Sequence, residues 1–166
     1  MSFKDLGVNP ALVKALVAAG IEKPFPIQKA TLPDAISGKD ILGRGQTGSG
    51  KTLAFGLALM TRLAGKTAAS MKPLGLVLSP TRELAMQISD VIAPLSRTVN
   101  LNSQVVAGGL SYSKQIQALK RGVPIVVATP GRLIDLINKK HIKLDDVQVT
   151  ILDEADQMAD MGFLPD

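Results

Sequence analysis

Residues 45–52 read Gly45-Gln46-Thr47-Gly48-Ser49-Gly50-Lys51-Thr52, which is the spacing of a phosphate-binding loop. The glycines let the backbone turn tightly, so that several N–H groups can point at one polyphosphate. Lys51 would place a positive charge at the β- and γ-phosphates, and the Thr52 hydroxyl would bind Mg²⁺. The alternative is a Gly- and Ser-rich turn that fits the pattern by chance.

The residues on either side have the order that a phosphate-binding loop requires. Ile41 and Leu42 precede the loop as a short apolar strand, and the apolar run 53–60 follows it as a helix. The N-terminus of that helix would face the phosphates with unpaired N–H groups and a positive dipole end. This order of strand, loop and helix favours a nucleotide site over a chance match.

An acidic cluster follows a second apolar strand near the end of the chain. Residues 149–152 are suited to a buried parallel strand, and Asp153-Glu154-Ala155-Asp156 comes directly after them. P-loop enzymes place the carboxylate that holds Mg²⁺ at such a strand end, and Asp153 is the candidate here. Glu154 could accept the proton of an attacking water. The alternative is a surface acidic turn that caps the next helix.

These two motifs resemble motifs I and II of the DEAD-box helicases, and further matches follow in family order over nearly the whole chain. Residues 20–28, which end in Pro26-Ile27-Gln28, look like the adenine-sensing Q motif, with Phe3 at the place of an isolated upstream aromatic residue. Pro80-Thr81-Arg82 is similar to motif Ia, Gly108-Gly109 to the glycine doublet, and Thr129-Pro130-Gly131-Arg132 to motif Ib.

The resemblance implies the first RecA-like domain of an ATP-dependent RNA helicase, with ATP and Mg²⁺ as cofactors. Gln28 would read the adenine edge, and Phe3 would also bind the cofactor. Asp156 would couple the ATP site to neighbouring motifs. Thr52 and Asp153 would hold Mg²⁺, largely through water. Catalytic roles fall to Lys51, Asp153 and Glu154. The phosphates would lie against Gln46, Thr47, Gly48, Ser49, Gly50, Lys51 and Thr52.

The resemblance also implies RNA contacts from loops that follow strands. Ligands of such sheets bind beyond the C-terminal strand ends, so all five motif loops should lie on one edge. The hydroxyls, arginines and backbone N–H groups of these loops are suited to binding phosphates. The alternative interpretation of Thr-Pro-Gly is a turn that only starts a helix and binds no RNA. Only 3% of the residues are aromatic, so few side chains could stack on bases. The protein should therefore contact the RNA backbone and the 2′-hydroxyls, without specificity for base sequence. The predicted RNA contacts are Pro80, Thr81, Arg82, Gly108, Gly109, Thr129, Gly131 and Arg132.

Helix and strand signals alternate along the chain. Asn9 should cap a helix that has Pro10 in its first turn and ends at Gly20, and a second helix should begin near Pro26 and bend near Pro33. The alternation predicts an α/β fold, with a parallel sheet covered by helices on both faces. Strands are predicted near 41–44, 75–79, 103–107, 124–128 and 148–152, and helices near 51–64, 82–97, 112–121 and 131–140.

We expect one structural domain, in which residues 1–38 hold the N-terminal helices and the Q motif, and 39–166 form the ATP-binding core. In the family, a Ser-Ala-Thr motif and a second RecA-like domain with an arginine finger follow, and neither occurs before Asp166. The strand leading to that motif would lie between the strands at 41–44 and 148–152. Those two strands would then leave a gap, collapse together or accept a strand from another molecule.

Without the strand that leads to the Ser-Ala-Thr motif, the chain alone should have low stability, form a strand-sharing oligomer or be a truncated part of a longer native protein. Without the arginine finger of the second domain, it should turn over little ATP. The intact two-domain protein would couple ATP binding and hydrolysis to local unwinding of RNA duplexes. Two other classes stay open: a non-catalytic module that binds nucleotide or RNA, and a DNA-directed P-loop ATPase.

Composition narrows the classes of protein further. With 166 residues and 46% apolar residues the chain can bury a core, and no apolar run approaches the ~20 residues of a membrane span. It has no cysteine and no signal-peptide pattern, which suits the cytoplasm. A net charge of +5 favours a polyanionic partner. The basic cluster Lys139, Lys140 and Lys143 and the lone His141 are interpreted as solvated surface residues.

Overall fold

Strands and helices alternate through the part of the chain that the computed structural model describes, which is residues 2–21, 23–24, 28, 32–33, 36, 41–42 and 49–152. The described strands are β1 Ile41–Leu42, β2 Gly75–Leu78, β3 Ser103–Val106, β4 Ile125–Ala128 and β5 Val149–Leu152. The continuous helices are α1 Pro10–Ala18, α2 Ser49–Leu63, α3 Arg82–Arg97, α4 Tyr112–Arg121 and α5 Pro130–Asn138.

All described strand pairs are parallel, in the order β1-β5-β2-β4-β3. Both ends of each of the five strands lie within about two residues of their predicted positions. The predicted α/β fold with a parallel sheet is confirmed. The register aligns the last residues of the five strands in one row across the sheet: Leu42, Leu152, Leu78, Ala128 and Val106. Every segment that follows a strand therefore leaves the sheet at the same edge.

Strand β1 pairs directly with β5. Ile41 lies opposite Ile151, and Leu42 lies opposite Leu152. Of the three arrangements that the sequence left open for these strands, the structure has the one in which they come together. Direct pairing gives backbone partners to groups that a gap between the strands would leave unsatisfied.

Side chains of the strands alternate between two apolar clusters, one on each face of the sheet. Val77, Val127 and Ile151 pack with residues of α1, α2 and α3. Leu76 and Val126, each one position away, pack with residues of α4 and α5 on the other face. Because successive side chains of a strand point to opposite faces, strands buried on both sides read as continuous apolar runs. Helices on both faces are thus confirmed.

The N-terminal helix follows its sequence signals. The Asn9 side chain accepts a hydrogen bond from the Ala11 N–H at 2.9 Å, and Gly20 has a φ of +84° just beyond the end of α1. Of the predicted second helix, the structure describes Gln28, Leu32, Pro33 and Ile36, all helical, so the predicted bend lies largely outside the described residues. No helix among the described residues is long and apolar enough to cross a membrane.

A substitution of Gly75, at the start of β2, tests how tightly α2 packs on the sheet. A Cβ atom there would lie 2.6 Å from Leu59 Cδ1 and 2.8 Å from Leu63 Cδ1, and both leucines are fully buried. We expect Gly75→Ala to lower the free energy of unfolding by about 1–3 kcal/mol.

Urea unfolding of the parent chain and the variant measures this difference. Gly131→Ala is the control, because a Cβ atom at Gly131 meets nothing within 4 Å. The control should leave the unfolding free energy unchanged or raise it by up to about 1 kcal/mol. Equal stability of the Gly75 variant and the parent would show that α2 can move away from the sheet at little cost.

Candidate functional site

Three loops follow the row of strand ends and form one continuous edge, called the rim here: residues 79–82, 107–109 and 129–132. The ladder extends into the rim, since Ser79 N–H donates to the Ala128 carbonyl and Thr129 N–H donates to the Val106 carbonyl, both at 2.9 Å. The prediction that motif loops share one edge is confirmed for these three loops. The other two motif segments come after β1 and β5, and residues 43–48 and 153–156 lie outside the described residues.

The nucleotide half of the predicted site is described at the start of α2. This helix begins at Ser49, two residues before the predicted position, so Lys51 and Thr52 lie in its first turn. Thr52 is 3% exposed and Lys51 is half-buried. The described residues contain no group of three or more His, Asp or Glu placed to hold a metal ion. Thr52 is the one predicted magnesium ligand that the structure describes, because Asp153 lies outside the described residues.

The two predicted adenine-site residues are buried. Gln28 is 0% exposed, and Phe3 is 2% exposed within the core cluster that also contains Leu12 and Leu16. The N–H groups of Leu6 and Val8 donate to the Phe3 carbonyl, which ties the residue into a turn. In the described structure the Phe3 side chain therefore packs in the core. Its predicted contact with the cofactor stays a prediction.

The predicted RNA residues meet at a shallow pocket on the rim. It has a volume of about 420 Å³. Seven residues from all three loops line it: Pro80, Arg82, Gly108, Thr129, Pro130, Gly131 and Arg132. Arginines that are 50 positions apart in the sequence thus open onto the same space.

Thr81, one of the predicted RNA-binding residues, caps the N-terminus of α3. Its Oγ1 accepts a hydrogen bond from the Leu84 N–H at 3.2 Å and caps α3. Thr129 occupies the equivalent position before α5 but makes no side-chain cap bond. The Thr129 hydroxyl is therefore the one of the two that has no capping role, and Thr129 is one of the residues that line the pocket.

Gly109 lies directly against Arg82. Its φ is +81°, a conformation that side chains rarely adopt, and a Cβ atom at this position would collide with Arg82 Nη1. The guanidinium of Arg82 also lies 3.5 Å from a carboxylate oxygen of Glu83, and both side chains are exposed. Glycine at position 109 thus permits both the turn of the loop and the approach of Arg82.

Arg132 is held by two residues of α4. Its Nη1 donates to Gln115 Oε1 at 3.0 Å, and its Cζ lies 5.0 Å from the ring centroid of Tyr112. Gln115 in turn donates from Nε2 to the Ala107 carbonyl at 3.1 Å. Neither Gln115 nor Tyr112 is among the site residues predicted from the sequence. The signal in the sequence that could have indicated Gln115 is its position as a polar residue on the same buried helix face as Ala118 and Leu119.

A basic and aromatic cluster lies behind Arg132. Lys139 Nζ is 5.2 Å from the Tyr112 ring centroid and 3.3 Å from Asp135 Oδ1, and the hydrogen bond to Asp135 raises the pKa of Lys139 above its usual value. His141 is half-buried and meets the Tyr112 ring edge-on, with centroids 6.2 Å apart. The interpretation of His141 as a solvated residue is therefore wrong, whereas Lys140 and Lys143 are exposed.

A larger groove lies beside the start of β3, at the opposite end of that strand from the rim. Its volume is about 640 Å³, and Arg97, Asn102, Ser103 and Arg121 are among the residues that line it. It shares no residue with the rim pocket. The two arginines of this groove provide a charge-matched control for Arg82 and Arg132.

Comparison with known proteins identifies the family. The family model for the DEAD/DEAH box helicase matches residues 25–166. The chain belongs to this family. It is 45% identical over all of its 166 residues to the DEAD-box ATP-dependent RNA helicase CshA of Streptococcus pneumoniae serotype 4 (strain ATCC BAA-334 / TIGR4). The match spans 31% of that relative.

A solved structure confirms the RecA-like helicase fold. The RNA-helicase Prp28 from Chaetomium thermophilum bound to ADP is 37% identical to this DEAD-box chain and superposes with a TM-score of 0.86. The match covers 95% of this chain and 39% of the Prp28 chain. This chain therefore spans about a third of the length of each of the two relatives.

The paired glycines of the rim allow a test of the loop geometry. We expect Gly109→Ala to lower the free energy of unfolding by about 1–2 kcal/mol, because it forces a side chain into the left-handed region and against Arg82. Gly108→Ala is the matched control, since Gly108 has no positive φ and a Cβ atom there meets nothing within 4 Å.

Thermal unfolding of both variants measures the difference. The control should melt close to the parent chain, and the Gly109 variant should melt several degrees lower. Equal melting temperatures for the two variants would contradict the described loop conformation.

Proposed function

We propose that this chain is the ATP- and RNA-binding first domain of a DEAD-box RNA helicase, which works with a second RecA-like domain to unwind short RNA duplexes. The observation that carries the proposal is the rim, where one row of strand ends brings Arg82 and Arg132 into one pocket. The names of the relatives support it, since one is an ATP-dependent RNA helicase and the other an RNA-helicase bound to ADP.

The nucleotide would bind where β1 and β5 end. The phosphates would lie at the N-terminus of α2, where the N–H groups of the first turn, the helix dipole and the charge of Lys51 all favour negative charge. The residues of 46–50 would complete this cradle. Thr52 offers Mg²⁺ a hydroxyl in the first turn of α2, and Asp153 would add the carboxylate that this hard cation prefers.

Bound Mg²⁺ would neutralise charge on the β- and γ-phosphates. Glu154 would orient the attacking water and accept its proton. The register supports the placement of both carboxylates near the nucleotide, because Leu152 precedes Asp153 and pairs with Leu42 of the strand that leads to the phosphate-binding loop. Gln28 would read the adenine edge once its buried amide becomes accessible, and Phe3 would contribute to the same cofactor site.

RNA would bind across the rim pocket. Arg82 and Arg132 supply charge, the Thr129 hydroxyl and the N–H groups of Gly108 and Gly131 supply hydrogen bonds, and all of these suit backbone phosphates. The N-terminus of α5 adds a favourable dipole at the same place. Tyr112 already packs against Arg132 and Lys139, so the described rim offers no open aromatic face for stacking on bases. Binding should therefore be insensitive to base sequence.

Residues 1–38 and 39–166 would act as one structural unit. The core supports this grouping, because Phe3, Leu12 and Leu16 belong to the same apolar cluster as Leu57 and Ile151. The N-terminal residues thus cover the face of the sheet on which α2 lies. The Q motif would in this way be held against the nucleotide site by the packing of the core.

Substitutions of Lys51 and Gln28 test the nucleotide half. We expect Lys51→Ala to weaken binding of ATP and ADP alike, by about 10- to 100-fold, since it removes a charged hydrogen-bond donor to phosphate. Gln28→Ala should instead narrow the preference for adenine over guanine nucleotides. Titration with fluorescent ATP and GTP analogues measures both effects.

Lys14→Ala is the control for loss of positive charge, because Lys14 is exposed on α1. It should bind nucleotides like the parent chain. Unchanged ATP affinity in the Lys51 variant would remove the start of α2 from the nucleotide site. An unchanged ratio of ATP to GTP affinity in the Gln28 variant would remove the Q motif from base recognition.

Paired arginine variants test the RNA half. For binding of a fluorescent single-stranded RNA, we expect the slope of log K against log salt to fall by roughly one unit for each phosphate contact that Arg82→Ala and Arg132→Ala remove. The double variant Arg97→Ala, Arg121→Ala loses the same charge at the distant groove and should keep the parent slope.

Two comparisons complete this experiment. RNAs of different base composition should bind equally, and DNA of the same sequence should bind more weakly. Equal slopes for the parent and the Arg82/Arg132 variant would place the binding charge elsewhere. Equal binding and equal stimulation of ATP turnover by DNA would favour a DNA-directed ATPase.

A further inference from the structure

Gln115 connects two loops of the rim from below. It is 1% exposed, and its side-chain amide makes two hydrogen bonds of opposite sense. Nε2 donates to the carbonyl of Ala107, the residue before the Gly108-Gly109 turn. Oε1 accepts from Nη1 of Arg132 in the first turn of α5. One side chain thus joins the glycine doublet to the arginine of the third loop.

A side-chain amide carries both the donor and the acceptor that these two partners require. The Ala107 carbonyl requires a donor and the Arg132 guanidinium requires an acceptor, so the amide has one possible orientation. A carboxylate would place an acceptor against the carbonyl, and an aliphatic side chain would leave both groups unpaired. Glutamine at position 115 is therefore specific for this pair of partners.

Packing alone does not explain a glutamine at this position. Gln115 lies on the buried face of α4 together with Ala118 and Leu119, where an apolar side chain would avoid the cost of desolvating an amide. What the amide provides in return for this desolvation cost is a hydrogen bond that fixes the position of Arg132. The Tyr112 ring limits the same guanidinium from a second direction. Of the five N–H donors of an arginine, the bond to Gln115 occupies one.

We propose that Gln115 is a positioning residue for RNA binding, which holds Arg132 in place relative to the Gly108-Gly109 turn before RNA arrives. The proposal rests on the proposed RNA contact of Arg132 and adds the reason why that contact is strong. An arginine that is fixed beforehand loses less conformational freedom on binding than a freely rotating one. Gln115 itself is buried and touches no ligand.

A double-mutant cycle tests the proposal in RNA binding. In the parent chain, Gln115→Met should weaken RNA binding by about 3- to 10-fold, as Arg132 becomes mobile. In an Arg132→Ala background, the same substitution should change affinity by less than about 2-fold, because the residue that it positions is gone. Gln117→Met is the matched control on the exposed face of α4 and should have no effect in either background.

The salt dependence separates positioning from a general loss of structure. Gln115→Met should reduce the salt slope toward that of Arg132→Ala, whereas a partly unfolded protein would bind less RNA with an unchanged slope. An equal loss of affinity in both backgrounds, or no loss in the parent chain, would overturn the proposal. If the methionine variant is unfolded by circular dichroism, Gln115→Leu takes its place, because leucine also removes the acceptor for Arg132 without adding charge, and the same outcomes are expected.

A measurement without RNA makes the proposal independent of the proposed function. In the parent chain, hydrogen exchange of the Arg132 guanidinium, followed by NMR, should be slower than that of exposed Arg97. Gln115→Met should abolish the difference. Slow exchange together with a complete lack of RNA binding would contradict the proposed function alone. Equally fast exchange of Arg132 and Arg97 in the parent chain would contradict the positioning role of Gln115.

Discussion

The aligned register of the five parallel strands is the constraint on which the candidate site depends. Because Leu42, Leu152, Leu78, Ala128 and Val106 end their strands in one row, every following segment begins at the same level of the sheet. A shift of one strand by one residue would turn its apolar side chains to the other face and move its loop along the edge. Burial of both faces of the sheet therefore also fixes the position of the loops.

The strand order divides this edge between two proposed ligands. β1 and β5 are neighbours and lead toward the phosphate-binding loop and the acidic motif, while β2, β4 and β3 lead to the rim. Strand β2 lies between the two halves and pairs with β5 on one side and β4 on the other. The proposed nucleotide site would thus lie beside the proposed RNA site on one edge of the sheet.

Local signals predicted the fold well because they agree with the tertiary structure. Apolar runs such as Ile125–Ala128 fit a strand that is buried on both faces, and Asn9 and Gly20 mark the ends of α1. Sequence reasoning failed where a role depends on packing between distant elements. It did not predict that Phe3 packs in the core with Leu12 and Leu16, and it missed that Gln115 bonds Arg132 of another helix. Such contacts leave no local pattern beyond a polar residue on an apolar face.

Backbone NMR titration of the ¹⁵N-labelled chain tests the central claim, which is that one edge of the sheet holds both ligands. ADP with Mg²⁺ should shift the signals of Lys51, Thr52 and the ends of β1 and β5. A short RNA should shift signals of the three rim loops and leave the groove near Arg97 and Arg121 unchanged. Shifts by RNA that centre on that groove, with an unaffected rim, would contradict the account.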